Sequence, residues 1–412
     1  MRGINGATTV HAGDVVQFSA DVSDENNDLV SCQLLITMND AEILNISEAL
    51  QGRSAKIEKK VTLPFVAGFE NGTLTVKLRV SNALAKTTSE LTLDPAASVA
   101  VIRPETPDKL YLIDNNGKSF ELIKSQGTAF GFLTGASDLA GIGTHFRIAE
   151  KLLNNAPDYS ELVWGYSNGK ISVVNDASSE LIPVPSVGNY TIETISFDML
   201  DFKVEPTLTL TIDVNTADFF SIGGDYTQLD KELVPYAKIN FTGMGTDVIN
   251  VLRPEFFKKL SGTKAKFMGP AALYNLKYNL NNKFLYLERP RDVFYPEVMY
   301  IVGTGAGFPR QPYAATLAWN FSFPHQWFLF RKTGASTFEA ILYLDNTMGF
   351  KFYRGYGWAQ EEDTKNKYRL ESDNYITKND AGDIIPGPDF KPGVYRISID
   401  KGSEVITAVP VN

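Results

Sequence analysis

Short runs in which apolar and polar residues alternate are the feature that most constrains the fold of this chain. In residues 73–80 every even-numbered position is apolar and every odd-numbered position is polar, and residues 207–214 repeat this pattern. Residues 394–400 alternate too, with Tyr395, Ile397 and Ile399 on the apolar face. A period of two predicts β-strands with one face on a core. Long amphipathic helices are absent, and only short ones such as residues 254–260 are expected.

Turn sequences separate these runs, which favours antiparallel β-structure. Asn71-Gly72, Asn116-Gly117 and Asn168-Gly169 are dipeptides typical of tight hairpins. The chain has 412 residues, of which 43% are apolar, 12% aromatic, and it contains 32 glycines and 20 prolines. This composition excludes wholesale disorder, collagen and coiled coil. We predict a mostly β protein of tandem β-sandwich domains.

Charge and the rare residue types exclude several functions. The 39 lysines and arginines against 48 acidic residues give a net charge of −9, without the basic runs that nucleic acid or an anionic membrane surface requires. A single cysteine, Cys32, excludes an intrachain disulfide and any zinc site that needs two or more cysteines. The three histidines are far apart in sequence, and no apolar run approaches the roughly 18 residues of a membrane span. We expect no metal centre built on cysteine or histidine, and no cofactor.

Proline-containing segments suggest the domain boundaries, because proline stiffens a connector and cannot donate to a sheet. They lie at residues 94–98, 103–107, 205–206 and 288–292, and the third could equally be a turn inside a larger domain. We predict an immunoglobulin-like spacer domain at 1–97, without the Cys…Trp…Cys core of antibody domains. A sandwich at 98–206 follows, then a small β-rich domain, or an extension of the preceding one, at 207–292. A final sandwich, similar to carbohydrate-binding modules, occupies 293–412.

Signatures of common enzymes are absent. There is no G-x-S-x-G elbow and no G-x-x-x-x-G-K-[ST] phosphate loop. Residues 303–307 read Gly-Thr-Gly-Ala-Gly, but the prolines that follow exclude a phosphate-binding helix, so we expect a loop at a sandwich rim. Glycoside hydrolysis needs two carboxylates about 5–10 Å apart. The most conspicuous acidic cluster, residues 361–363, is expected in a solvated loop.

An acidic segment near the N-terminus leaves two interpretations open. Residues 21–28 place several carboxylate and amide oxygens close together in sequence. Calcium takes roughly six to eight such oxygens, but the spacing and the glycine of an EF-hand are missing. A solvated acidic turn is the favoured interpretation, and a calcium site is the alternative.

Aromatic residues are the most informative feature for function. Of four tryptophans, Trp164 is expected in a core, whereas Trp319, Trp327 and Trp358 fall within 39 residues of one another near the C-terminus. Gly355 and Gly357 flank Tyr356 and precede Trp358, in a loop that can present these rings to solvent. A sugar ring has an apolar C–H face that covers an indole or phenol, and its hydroxyls need polar side chains beside it.

These residue types predict a carbohydrate site in the C-terminal domain. Stacking is assigned to Trp358, Tyr356 and Trp327, and hydrogen bonding to Lys351, Arg354 and Asn320. The candidate residues are Trp358, Tyr356, Trp327, Trp319, Tyr353, Lys351, Arg354 and Asn320.

A weak internal repeat accompanies this site. Phe146-Arg147-Ile148 begins 42 residues before the Gly188-Asn189-Tyr190 segment, and Phe350-Lys351-Phe352 begins 43 residues before Gly393-Val394-Tyr395. Each block also starts with a short Tyr-containing apolar strand. We interpret the two blocks as related β-sandwiches.

Residues 297–412 contain four elements in a characteristic order: the strand 299–303, Phe-Lys-Phe, Trp358 and Pro-Gly-Val-Tyr. In this order the segment resembles the carbohydrate-binding repeat of the SusE and SusF outer-membrane lipoproteins of Bacteroidetes. The resemblance implies non-catalytic polysaccharide binding at the cell surface, beside a TonB-dependent importer (SusC-like) and its SusD-like partner. It matches Trp358 to the aromatic platform and Lys351 to the basic side chain. The tryptophan usual in the loop after the first strand is displaced, and Trp319 or Trp327 could replace it.

The resemblance also implies a lipid-anchoring cysteine, and Cys32 lies too far into the first domain to serve. We therefore expect the export signal and the anchor to have been removed from this sequence. Two other functions stay open: a structural or adhesive module that binds a protein, and a glycoside hydrolase or lyase.

Overall fold

The computed structural model describes residues 2–3, 9–84, 89–92, 99–126, 128–135, 139, 141–244, 248–310, 315–372 and 374–411. The protein is mostly β, with its strands in several sheets of β-sandwich type, which confirms the predicted fold class. The chain forms two compact units. The first comprises Met1–Ser186 with Glu193–Pro206, and the second comprises Val187–Ile192 with Thr207–Asn412.

The first unit begins with two sheets that enclose the side chains of alternating strands. Leu74, Val76 and Leu78 are buried while the residues between them are not, as the period of two predicts. Cys32 lies in this core as a free thiol. One sheet contains, in spatial order, Arg2–Gly3, Val15–Ser23 and Ser54–Thr62; the other contains Thr9–His11, Val99–Ile102, Asn71–Asn82, Leu29–Met38 and Ala41–Ala49, with Ser89–Thr92 paired to Asn71–Asn82.

A nine-stranded sheet forms most of the rest of the first unit. Trp164 is buried in it against Phe197 and Phe202, at ring distances of 5.2 and 5.9 Å, which confirms its expected core position. The strands in spatial order are Lys170–Val173, Val163–Ser167, His145–Ala149, Lys109–Asp114, Ser119–Lys124, Gly131–Thr134, Ile192–Asp198 and Lys203–Leu208, with Ile182–Pro183 on His145–Ala149, and a separate hairpin of Leu152–Leu153 and Ala156–Pro157.

The second unit contains two four-stranded sheets and one nine-stranded sheet. Its longest strand, Thr337–Tyr353, pairs with neighbours on both sides. The four-stranded sheets have the orders Thr211–Asn215, Lys238–Thr242, Lys264–Phe267, Phe257–Ser261 and Phe220–Gly223, Tyr226–Leu233, Ala272–Asn279, Leu285–Glu288. The large sheet has the order Trp327–Leu329, Tyr300–Gly307, Thr337–Tyr353, Gly393–Asp400, Val405–Pro410, Arg369–Leu370, with Arg331–Lys332, Ile384–Pro386 and Ile376–Lys378 at its margins.

Helices are short throughout the described residues, and none of them has the length and apolar character needed to cross a bilayer. The helical segments are Thr216–Asp218, Val248–Val251, Pro324–Gln326, Trp358–Gln360 and Thr364–Lys367.

Two local predictions are wrong because strand pairing overrides sequence pattern. The helix expected at 254–260 is absent: Phe257–Ser261 is a strand that pairs with Lys264–Phe267, and Phe256 and Phe257 are buried in the core. The run 207–214 is split between Lys203–Leu208 and Thr211–Asn215, which belong to different sheets.

The remaining differences concern expected breaks. The hairpin turn predicted at Asn71-Gly72 is wrong, because both residues begin the strand Asn71–Asn82 and pair with Ile102 and Val101. Residues 303–307 are not a loop, because they lie in the strand Tyr300–Gly307. Gly303 is required there, since a Cβ would overlap the backbone of Gly349 and Phe350. Glu205 and Pro206 lie within the strand Lys203–Leu208, and the division between the two compact units falls directly after Pro206. The linker proposed at 94–98, together with Gln311 and Pro312, lies outside the described residues.

Candidate carbohydrate-binding surface

Trp358 is presented to solvent by a short glycine-containing turn after the longest strand. Gly357 has a φ of 102°, a conformation that side chains strongly disfavour, and a Cβ at Gly355 would overlap the ring of Phe294. The chain then enters the helical turn Trp358–Gln360. The indole of Trp358 is 53% exposed, the largest exposure among the four tryptophans. The exposure expected from the sequence is therefore found at this position.

Phe321 contacts each of the other rings of the aromatic cluster. It is buried, and its ring lies 5.1 Å from that of Trp358, 5.2 Å from that of Tyr356 and 5.4 Å from that of Tyr353, all in edge contacts. The Tyr356 hydroxyl also donates to the Phe321 carbonyl at 2.9 Å. These contacts fix the orientation of Trp358 before any ligand binds, which lowers the entropy cost of binding.

Two further aromatic side chains are exposed on the segment that contains Phe321. Trp319 is 41% exposed and Phe323 is 45% exposed. The Phe323 ring stacks on His325 at 5.9 Å, and His325 in turn stacks on Tyr226 at 5.8 Å. Phe323 is not among the binding residues predicted from the sequence. The signal available was its position directly before Pro324, which starts a helical turn and lets the preceding ring point outward.

Two of the predicted binding residues are core residues. Trp327 is only 2% exposed, because it begins the strand Trp327–Leu329, whose three residues are all buried beside Tyr300–Gly307. Tyr353 is buried at the end of the long strand, opposite Tyr300, and this burial raises the pKa of its phenol. Neither ring is available to stack on a sugar, so both assignments are corrected to structural roles.

Each of the predicted polar residues already has a protein partner. Lys351 pairs with Glu361 at 2.6 Å and lies 3.9 Å from Asp383. Arg354 is exposed, with its Nε 3.6 Å from Glu362. Asn320 is exposed, and its Oδ1 accepts from the Phe321 amide and the Ser322 hydroxyl, both at 2.7 Å. A sugar hydroxyl would therefore join or replace an existing contact at each position.

The acidic cluster at 361–363 has structural roles. Glu362 is buried rather than solvated, and it accepts from Lys401 at 2.6 Å. Asp363 caps the helix Thr364–Lys367 by accepting from the amide of Asn366. The expected solvated loop is thus found only in part, because Glu361 is exposed and Glu362 is not.

The acidic segment at 21–28 is organised as a hydrogen-bonded turn. Asp24 accepts from the backbone amides of Asn26 and Asn27 at 2.9 Å each, and from the side chain of Asn82 at 2.8 Å. These bonds to the ionised form lower the pKa of Asp24 to about 2. Within the described ranges, no group of three or more histidine, cysteine or acidic side chains is placed to hold a metal ion.

His325 provides a test of the packing below Phe323. Its imidazole is hydrogen-bonded to the Tyr226 hydroxyl, and burial lowers its pKa below the ordinary value of 6.5. The unfolded chain therefore binds a proton at His325 more readily than the folded chain, and stability is lost as the pH falls below about 6.5. We expect His325→Gln to lose less stability than the wild type between about pH 7 and about pH 5. Thermal melts of both proteins across this pH range measure the difference. Parallel pH profiles of the melting temperature would contradict the prediction.

The fold and the surface together define a mostly β protein of sandwich type with exposed aromatic rings at a glycine-containing turn and on the segment that contains Phe321. No protein-family model and no curated protein matches the chain. Among solved structures, the chain is similar to SusF from Bacteroides thetaiotaomicron, with 12% identity over 99% of this chain and 98% of that chain. The TM-score of that superposition is 0.24.

Proposed function

We propose that this protein binds a polysaccharide or oligosaccharide without cleaving it, at the surface formed by Trp358 and the exposed rings of Trp319 and Phe323. The observation that carries the proposal is the Trp358 indole, half exposed yet held by Phe321 and Tyr353. Single exposed apolar side chains are common, whereas several exposed aromatic rings close together in the chain favour an interaction site. A rigid indole offers a sugar ring a large apolar contact at little cost in conformational entropy.

Polar groups beside the rings suit the hydroxyls of a sugar. Lys351 and Arg354 supply donors, and Asn320 supplies an amide. Arg291 adds a further cation, with its guanidinium 4.2 Å from the centre of the Tyr356 ring. In this proposal these groups hydrogen-bond the hydroxyls of a ring that stacks on Trp358, because a few polar groups in a binding site give orientation and specificity.

The setting of this binding follows from the resemblance of residues 297–412 to the SusE and SusF repeat. We propose that the protein acts at the outer-membrane surface, where it captures glycan for a TonB-dependent importer and its SusD-like partner. In this proposal the N-terminal immunoglobulin-like domain, residues 1–97, serves as a spacer. The domains predicted at 98–206, 207–292 and 293–412 follow it.

Affinity electrophoresis of the full chain in gels that contain one polysaccharide each tests the proposal. We expect at least one neutral polysaccharide of a panel of plant, fungal and bacterial glycans to retard the protein. Migration unchanged in every gel would reject glycan binding.

The same samples discriminate binding from catalysis. After incubation of each retarding polysaccharide with the protein, we expect no increase in reducing ends and no unsaturated products. The release of either product would favour the glycoside hydrolase or lyase alternative over the binding function.

A further inference from the structure

A polar cavity in the second unit is not explained by the aromatic surface. It has a volume of about 370 Å³ and lies between one face of a four-stranded sheet and residues 322–324. This volume is near the small end of the range of roughly 300–1,000 Å³ for ligand pockets. A compact ligand therefore fits it better than an extended chain.

Strand register builds the polar wall of this cavity. Gln228 lies opposite Lys277 on neighbouring strands, and Asn275 lies opposite Glu288 on the next pair. All four line the cavity, whereas Leu276 and Leu287, which alternate with them, are buried in the apolar core. These four hydrogen-bonding side chains therefore face the cavity and are not part of the apolar core.

Glu288 has a buried carboxylate oxygen in the wall of this cavity that lacks a hydrogen-bond donor among the described residues. It is only 4% exposed, and its Oε2 accepts from the Lys277 ammonium. Its Oε1 is buried and has no hydrogen-bond partner in the part of the chain that the structure describes. Burial raises the pKa of Glu288, against the attraction of Lys277. Buried polar atoms are almost always paired, so an unpaired acceptor in a cavity wall indicates a ligand that donates to it.

The other lining groups restrict the chemistry of that ligand. Gln228 and Asn275 both donate to Asp230, at 2.7 and 2.6 Å, which orients their amides. Lys277 and Arg291 add donors, while Ile222 and Phe323 add apolar surface.

A hydroxyl can donate to Glu288 and accept from a cation at the same time, and a sugar ring presents several beside an apolar C–H face. A carboxylate can only accept, so an acidic sugar placed with its carboxylate toward Glu288 would be repelled.

We propose that this cavity is a second binding site, adjacent to the Trp358 surface and sharing Phe323 and Arg291 with it, that takes the single ring of a neutral monosaccharide through Glu288 and Lys277. The site does not depend on the proposed capture of polysaccharide. Monosaccharide binding in the cavity and polysaccharide binding at the Trp358 surface are measured by different experiments, so that the failure of one is distinguishable from the failure of the other.

Titration calorimetry and ligand-observed NMR of the full chain with glucose, galactose, mannose, xylose and glucuronic acid test the proposal. We expect at least one neutral sugar to bind, and glucuronic acid to bind at least about tenfold more weakly than that sugar. The absence of binding by every neutral sugar at tens of millimolar, or equal binding of glucuronic acid, would overturn it.

Variants locate the site. Gln228→Phe fills the cavity from a strand position that tolerates an aromatic side chain, and we expect it to abolish monosaccharide binding while it still folds. Glu288→Gln removes the charged acceptor and should weaken binding at least about tenfold. Because that change leaves Lys277 without its partner, Gln228→Phe decides the question if Glu288→Gln fails to fold.

Trp358→Ala is the matched control, and we expect it to bind the monosaccharide as the wild type does. Wild-type binding by Gln228→Phe, or loss of binding in Trp358→Ala, would overturn the assignment to this cavity. Polysaccharide retention, measured separately, reports on the proposed function alone.

Discussion

Replacing Trp358 with alanine is expected to weaken polysaccharide retention at least about tenfold. Truncation of a central stacking aromatic costs roughly 2 kcal/mol or more of binding free energy, which exceeds tenfold in affinity. The fold should tolerate the change, because half of the indole is already in water and the loss of its edge contacts with Phe321 and Tyr353 costs about 1 kcal/mol. Affinity electrophoresis with the retarding polysaccharide measures the first effect, and thermal melting measures the second.

Tyr190→Ala provides the matched control. Tyr190 is an exposed aromatic residue in the segment Val187–Ile192, and no contact between its ring and the Trp358 cluster is found among the described residues. We expect Tyr190→Ala to be retained like the wild type. If Trp358→Ala were retained equally well, the assignment of Trp358 to the binding surface would be rejected. A large fall in melting temperature would instead mark its ring as part of the core.

Trp327→Ala should have the opposite profile, with a large loss of stability. The indole of Trp327 is buried among Phe321 and Tyr356, at 5.8 and 5.6 Å, and the Lys277 ammonium lies 5.7 Å from its ring. Removal of a buried tryptophan side chain leaves a cavity and costs about 3–5 kcal/mol of unfolding free energy. Denaturant unfolding monitored by circular dichroism measures this loss.

Trp327→Phe separates packing from any specific role of the indole. A phenyl ring fills most of the same space, so we expect it to recover more than half of the stability lost in Trp327→Ala. If Trp327→Ala lost less than about 1 kcal/mol, the ring would not be part of the core, and Trp327 would again be a candidate for the binding surface.

Local periodicity was sufficient to predict the class of fold. Leu74, Val76 and Leu78 alternate with polar residues, and they face a core, because a strand places successive side chains on opposite faces. The same rule holds for Tyr395 and Ile397, which are buried in Gly393–Asp400. The pattern was misleading at 207–214, where the alternation continues although the chain passes from one sheet to another.

The aromatic residues show why the candidate site could be predicted only in part. Trp327 and Trp358 have similar local sequence contexts, rich in aromatic residues, yet one is buried and the other half exposed. What separates them is strand pairing: Trp327 enters a ladder with Tyr300–Gly307, whereas Gly357 turns the chain away from the sheet before Trp358. Pairing is a long-range property, which composition and spacing do not encode.

The sequence by itself determined that this protein is built from strands with one apolar face, because hydrophobic periodicity acts over a few residues and needs no knowledge of distant partners. It also determined that aromatic rings are concentrated near the C-terminus. Only the tertiary structure decided which of these rings reach solvent, and that Lys277 and Glu288 meet in a cavity wall. Register between strands brings together residues that are remote in sequence, and the burial of Glu288 follows from that register and from the segment that covers it.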